Sequence, residues 1–177
     1  MNKSKEIIVN MDAIQPRAPG QLLSDQPMEA LKRDHRYVRQ LFDRYLNTQN
    51  SEIKREAGPE IIRALELHAD LEEAVFYPKV RSIDPGLIDH SEQEHHEARQ
   101  LMEQIKSIDI THPQCDELFR QLADSVLHHV ESEEQQLFPK VQQSGMDLGA
   151  LGLEMQAYEA SVLGAQARSS DQPGMRR

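Results

Sequence analysis

No tryptophan occurs among the 177 residues, aromatic residues are only 5%, and one cysteine, Cys115, stands alone. A lone cysteine rules out an internal disulfide framework and suits a reducing compartment, so a cytoplasmic protein is expected. Few aromatic and β-branched residues argue against a β-sandwich. No apolar run approaches the roughly 18 residues of a membrane span. The stretch Ile7-Ile8-Val9 is too short for the apolar core of a secretory signal. Positive charge is scarce as well: 20 Lys and Arg against 30 Asp and Glu leave a formal net charge of −10. An acidic chain does not have the electrostatic footprint of a nucleic-acid binder, nor one that adheres to anionic lipid. Neither nucleic acid nor membrane is therefore expected as a partner. The length suits one domain with a real core.

What the chain does have is eight histidines set into helical spacing. Residues 1–23, broken by Pro16, Pro19 and Gly20, read as a flexible arm, and residues 168–177, with Pro173 and Gly174, as a disordered tail. Residues 24–167 between them read as one domain of five helices. The first is expected over about 26–48, capped by Ser24 or Asp25, and the second over about 52–80, capped by Ser51, with Pro59 kinking it or delaying its start. The third is expected over about 85–107, with Asp84 as cap and Pro85 in the first position. The fourth spans about 112–142, with Thr111 and Gln114 at capping-box spacing and Gly145 just past its end. The fifth spans about 147–166, capped by Asp147.

Apolar stripes of the kind that face the core of a helical bundle run along all five. The first carries Met28, Leu31, His35, Val38, Phe42 and Tyr45; the fifth carries Leu148, Leu151, Met155, Tyr158, Val162 and Ala165. The middle three hold His68 and Glu72, His95, and His129 and Glu133 in the same kind of position. The two halves repeat. His68, Glu72 and Pro78 recur as His129, Glu133 and Pro139 at an offset of 61, and Asp34-His35 recurs as Glu94-His95 at an offset of 60.

A buried carboxylate without a partner is very costly, and a buried imidazole also needs its hydrogen bonds. A pair of metal ions removes both problems. Residues i and i+4 lie one above the other on a helix face. His-x-x-x-Glu therefore offers two ligands from one helix, and two such helices with two single histidines surround a centre from four sides. Imidazole with carboxylate suits iron, manganese or zinc. Two carboxylates able to bridge, with room for an oxygen species, favour iron. His96 and His128 neighbour the candidates, but their stripes (Glu92, Arg99, Glu103 and Lys106; Gln121, Ser125, Ser132 and Gln135) are polar, so His95 and His129 are preferred. His90 and His112 read as surface residues. Glu73 and Glu134 either face outward or brace the ligands by hydrogen bonds. Cys115 reads as core. The tyrosines read as packing, with a role left open for one close to the metals. Only Glu92-x-x-His95 fits a ferritin-like Glu-x-x-His, and no His-Glu-x-x-His of a zinc peptidase occurs.

This duplicated His and His-x-x-x-Glu pattern resembles the hemerythrin-like family with the HHE cation-binding domain. The resemblance covers roughly 26–142. It implies an all-α, up-down-up-down four-helix bundle, here with an additional C-terminal helix, holding a non-haem di-iron centre with an oxo or hydroxo bridge. Carried over by position, His35 and His68 would serve one iron, His95 and His129 the other, and Glu72 and Glu133 would bridge them. The oxygen-carrying members of the family use a fifth histidine one turn beyond the third-helix ligand. Here Arg99 stands in that place, with Ser91 one turn before the ligand. The resemblance therefore implies binding or redox handling of oxygen, peroxide or nitric oxide rather than a dedicated oxygen carrier. Peroxide breakdown, or iron storage, delivery or sensing, are the alternatives, and a monomer or weak dimer is expected.

Overall fold

The computed structural model describes residues 26–170, which form helices and short connections with no strand among them. The helices are α1 Pro27–Leu46, α2 Ser51–Leu71, α3 Tyr77–Val80, α4 Pro85–Lys106, α5 Pro113–Ser132, α6 Phe138–Gln143 and α7 Leu148–Ser170. A π turn over Glu72–Phe76 joins α2 to α3, and a second over Glu133–Leu137 joins α5 to α6. The seven segments thus make five continuous rods. Four of them build the bundle. α1 packs on α2 and α5, and α4 packs on α5 and α2. Their short connections run neighbours antiparallel, as in an up-down-up-down bundle.

The ends of the helices follow local chemistry. Asp84 caps α4 by accepting from the Leu87 N–H at 3.0 Å, with Pro85 in the first turn, as the sequence predicts. Asp147 accepts from the Ala150 N–H at 2.9 Å, and Gly145 takes a φ of 75° just past α6, where a Cβ would be strained. Three expected caps are corrected. The α1 cap position is Gln26, with no side-chain hydrogen bond; Ser24 and Asp25, like the arm over 1–23, lie outside the described residues. At α2 the cap is Asn50, whose Oδ1 accepts from the Glu52 N–H at 2.8 Å, and Ser51 is already helical. At α5 the Thr111–Gln114 box does not form. Asp109 takes both the Thr111 N–H (2.8 Å) and hydroxyl (2.5 Å), leaving His112 Nδ1 to accept from the Gln114 N–H at 3.2 Å. Pro59 does not delay α2, which begins upstream of it. α7 runs to Ser170, a turn further than expected, and residues 171–177 lie outside the described region.

Two apolar clusters fill the bundle. One gathers Val38, Phe42, Ile61, Met102, Phe119 and Val126; the other gathers Leu31, Phe76, Tyr77, Phe138, Leu151 and Met155. Each such fully buried apolar side chain stabilises the fold by about 1.5–3 kcal/mol relative to exposure. α7 supplies Leu151 and Met155 to the second cluster, so it covers that end of the bundle. Along α7 Ala165 is exposed, contrary to its place on the expected stripe, and Glu159 is buried instead. In the middle of α2, Gly58 allows the α4–α5 connection to approach: a Cβ there would lie 2.6 Å from Ile110 Cδ1. Among the described residues no helix is long and apolar enough to cross a membrane.

Candidate metal centre

Both π turns have a cause in the sequence. Pro78 has no N–H for the carbonyl one helical turn back, and its ring crowds that carbonyl; Pro139 does the same in the second half. Widening the helix just upstream relieves the crowding. The Tyr77 N–H then bonds to the Glu72 carbonyl and the Phe138 N–H to the Glu133 carbonyl. A π turn carries residue i+5 back over residue i. Tyr77 is thereby aimed at the Glu72 carboxylate, and Phe138 is placed alongside His35, their rings stacked at 5.9 Å.

Between the two apolar clusters the structure brings together His35, His68, Glu72, His95, His129 and Glu133, all buried. His35 and His68 face each other with Nε2 atoms 3.1 Å apart, and His95 and His129 do the same at 3.1 Å. The carboxylates lie between these pairs. Glu72 Oε2 is 3.3 Å from His68 Nε2 and 3.4 Å from His95 Nε2; Glu133 Oε2 is 3.5 Å from both His35 Nε2 and His129 Nε2. Each carboxylate thus touches both histidine pairs. His96 and His112 are exposed, as are His90 and His128, which lie at 52% and 69%.

The outward edges of the imidazoles are braced. His35 Nδ1 meets Glu134 at 2.8 Å, His95 Nδ1 meets Glu73 at 2.9 Å, and His129 Nδ1 meets Glu94 at 3.1 Å. His68 Nδ1 stands 3.7 Å from Asp34, within ion-pair range and beyond a direct hydrogen bond. The braces repeat with the halves: the acid before one histidine serves the next helix, and the acids after Glu72 and Glu133 serve the helix across. Glu73 and Glu134 therefore brace rather than face away. Arg99, in the place of the fifth histidine, points outward and donates to Glu73 at 2.6 Å. A carboxylate on Nδ1 fixes the ring so that Nε2 is presented inward, the arrangement found behind metal-ligating histidines.

The donor set fits metal ions. Glu72 Oε1 and Glu133 Oε2 are buried with no hydrogen-bond partner, a costly state for a carboxylate that a cation would relieve. Two atoms each about 2.1 Å from one ion stand about 3 Å apart at a right angle, close to the spacing within each Nε2 pair. The residues that could hold an ion group as His35, His68, Glu72 and Glu133, and as Glu72, His95 and His129. Glu72 is common to both groups.

Without metal the cluster holds protons. Burial would lower the His95 pKa, but hydrogen bonds to Glu72 and Glu73 outweigh it and raise it from 6.5 to about 9. Burial opposes the Glu73 carboxylate too, and His95 and Arg99 overcome it and lower the pKa from 4.5 to about 2. Glu72 is held well below its ordinary value; burial works against this, and the charges of His68 and His95 prevail. Burial and the two glutamates push Tyr77 well up, so its hydroxyl keeps its proton. The sign of the pH effect follows. A raised histidine contributes stability that is complete below its unfolded pKa and lost as pH rises through its folded one. Metal-free protein is expected to lose thermal stability between about pH 6.5 and 9 through His95. Glu73 works in the opposite range, with stability lost as pH falls from 4.5 through 2. Melting curves of chelator-treated protein across this range check it; a His95→Gln variant should show a shallower alkaline decline, and an equal one would remove His95 as its source.

Tyr77 is the residue whose role the sequence left open. Its hydroxyl lies 2.8 Å from Glu133 and 3.1 Å from Glu72, spanning the two carboxylates. A cavity of about 30 Å³ is lined by the four buried histidines and by Val38, Leu65, Ala98, Met102 and Val126, with Tyr77 outside its lining. That is room for about two water-sized molecules. Cys115 is buried and free near the far end of the bundle, as expected of a core residue.

A protein of Nostoc sp. (strain PCC 7120 / SAG 25.82 / UTEX 2576) described as a DNA nickase is 35% identical over 114 residues, which is 64% of this chain and 32% of that protein. The chain therefore spans about a third of that relative's length. No solved structure matches. Residues 26–141, the whole bundle up to α6, match the hemerythrin HHE cation-binding domain, and the chain belongs to that family.

Proposed function

We propose that this chain is a non-haem di-iron protein that binds or redox-processes a small oxidant or gas, namely oxygen, peroxide or nitric oxide. The observation that carries this reading is the convergence of two Nε2 pairs on two carboxylates with unsatisfied oxygens, beside a small, mostly apolar cavity. His35 and His68 would hold one iron, His95 and His129 the other, and Glu72 and Glu133 would span both. Iron held there supplies electrons and open coordination positions. The chain's own residues do the rest. The outer carboxylates keep the imidazoles oriented, the apolar walls exclude bulk water and large substrates, and Tyr77 keeps a proton between the two glutamates. The buried free thiol of Cys115 is at home in a reducing compartment such as the cytoplasm.

Tyr77→Phe tests the positioning role. It removes the single hydroxyl proton that the two glutamates share, so iron should stay bound with an affinity lower by about tenfold, the scale of outer hydrogen bonds to ligands. Competition with a chelator measures this; an unchanged affinity would make Tyr77 a packing residue. The function itself is tested by loading with Fe(II) without air and following absorbance on addition of oxygen, peroxide or nitric oxide. Reaction with at least one of them, leaving no long-lived, fully reversible oxygen complex, is expected, because Arg99 replaces the fifth histidine. Rapid release of oxygen from peroxide over many turnovers would favour the enzyme reading. A chain inert to all three would leave iron storage, delivery or sensing.

The Nostoc relative's description gives a second reading, strand cleavage of DNA. Incubating the iron-loaded protein with supercoiled plasmid separates the two. Open-circular product that disappears in His95→Ala would move the centre's role to nucleic acid; intact plasmid beside a gas response keeps the first reading.

A further inference from the structure

Outside the interior cluster, one further group of metal-ligating side chains lies together among the described residues. His90 and Glu94 sit on α4 at i and i+4, so they share a helix face, and His128 reaches them from α5. His90 Nε2 lies 3.3 Å from Glu94 Oε1, and His128 Nδ1 lies 2.7 Å from the same oxygen. The two rings stand edge to face, 6.2 Å between centroids. One ligand atom from each of the three falls within 4.8 Å of the others.

We propose that His90, Glu94 and His128 form a separate surface site for a divalent transition ion, completed by water. The proposal stands on these three residues and does not depend on what the interior binds. Three features support it. Two imidazoles and one carboxylate are the donor set of open zinc sites, which keep one position for water. Ligand atoms about 2.1 Å from one ion stand about 3.4 Å apart in a tetrahedron, so the 3.3 Å separation needs little movement and the shorter one opens by a small turn of the exposed His128 ring. Finally, an open recess of about 470 Å³ adjoins His90 and His128, walled by Glu131, Ser132 and Gln135, so the two imidazoles are reached from solvent and a negative charge lies nearby.

Glu94 gives this site a link to the interior. Its other oxygen, Oε2, accepts from His129 Nδ1 at 3.1 Å, so one carboxylate serves both places. A cation on Oε1 withdraws charge from that acceptor and weakens the His129 hydrogen bond. Occupancy outside would thus be felt at an interior imidazole without any backbone movement.

The test uses the whole chain, free of any histidine tag and already loaded with iron, dialysed against Zn²⁺, with zinc and iron both measured. One zinc ion per chain should be retained with iron content unchanged. His90→Ala and His128→Ala, both surface changes, should each weaken zinc retention by at least tenfold while the iron content holds. Retention of zinc equally by parent and variants, with iron lost in proportion, would mean that zinc only replaces the interior metal and would overturn the proposal. No retained zinc in the parent would overturn it as well. The iron content separates the two failures: absence of retained zinc with iron held leaves the interior reading intact, whereas iron lost to zinc counts against iron as the interior metal as well.

Discussion

His95→Ala is expected to strip most of the iron, while His96→Ala keeps it. The two residues are neighbours of the same chemistry, about 100° apart around one helix. His95 is 6% exposed, with Nε2 turned to Glu72 and His129; His96 is exposed and bonds to Gln100 on the surface. Outer hydrogen bonds to ligands are worth about 10–100-fold in metal affinity, so losing a ligand itself should exceed 100-fold. His129→Ala and His128→Ala form the same comparison on α5 and should give the same contrast in the interior iron. Iron analysis with the visible spectrum measures both pairs. Loss at His96 with retention at His95 would mean that α4 presents its other face.

Iron loading is also expected to raise the melting temperature on the order of 10 °C. Four imidazoles and two carboxylates buried together are expensive without a cation, and a ligand that binds only the folded chain adds about 4 kcal/mol at a thousand times its Kd. For a domain of this size each kcal/mol moves the midpoint by about 2–4 °C. The gap should widen as pH rises from about 6.5 to 9. Metal-free protein loses the contribution of protonated His95 over that range, and metal binding no longer has to displace the proton. Calorimetry of loaded and chelator-treated samples at both ends of the range checks this. Equal melting temperatures would mean that the cluster satisfies itself without metal.

The interior six could be read from the sequence because burial and chemistry conflict there. A histidine or glutamate on an apolar stripe is costly unless something binds it, and the matched second copy made chance a poor explanation. The residues around them were harder to see. Glu94 precedes a stripe histidine, and by helical periodicity it is indistinguishable from a solvated acid. The signal was the echo of Asp34-His35 in Glu94-His95, since each acid is directed to the histidine on the next helix. Tyr77 and Phe138 were hidden for another reason. Counting at 3.6 residues per turn fails across a π turn, which shifts everything after Glu72 and Glu133 by one residue. Pro78 and Pro139, six residues after each glutamate, marked the place in both halves. The cap positions failed on competition between near-equivalent side chains, as where Asp109 takes Thr111 away from the start of α5.

The central claim is a centre of two metals, and counting them tests it most directly. Purified chain, loaded with Fe(II) in the absence of air and freed of excess metal, should contain two irons per chain. Glu72→Ala removes a carboxylate that belongs to both ligand groups and should lower the count at both positions together. A single tightly held ion, or one zinc with iron excluded, would contradict the two-iron account.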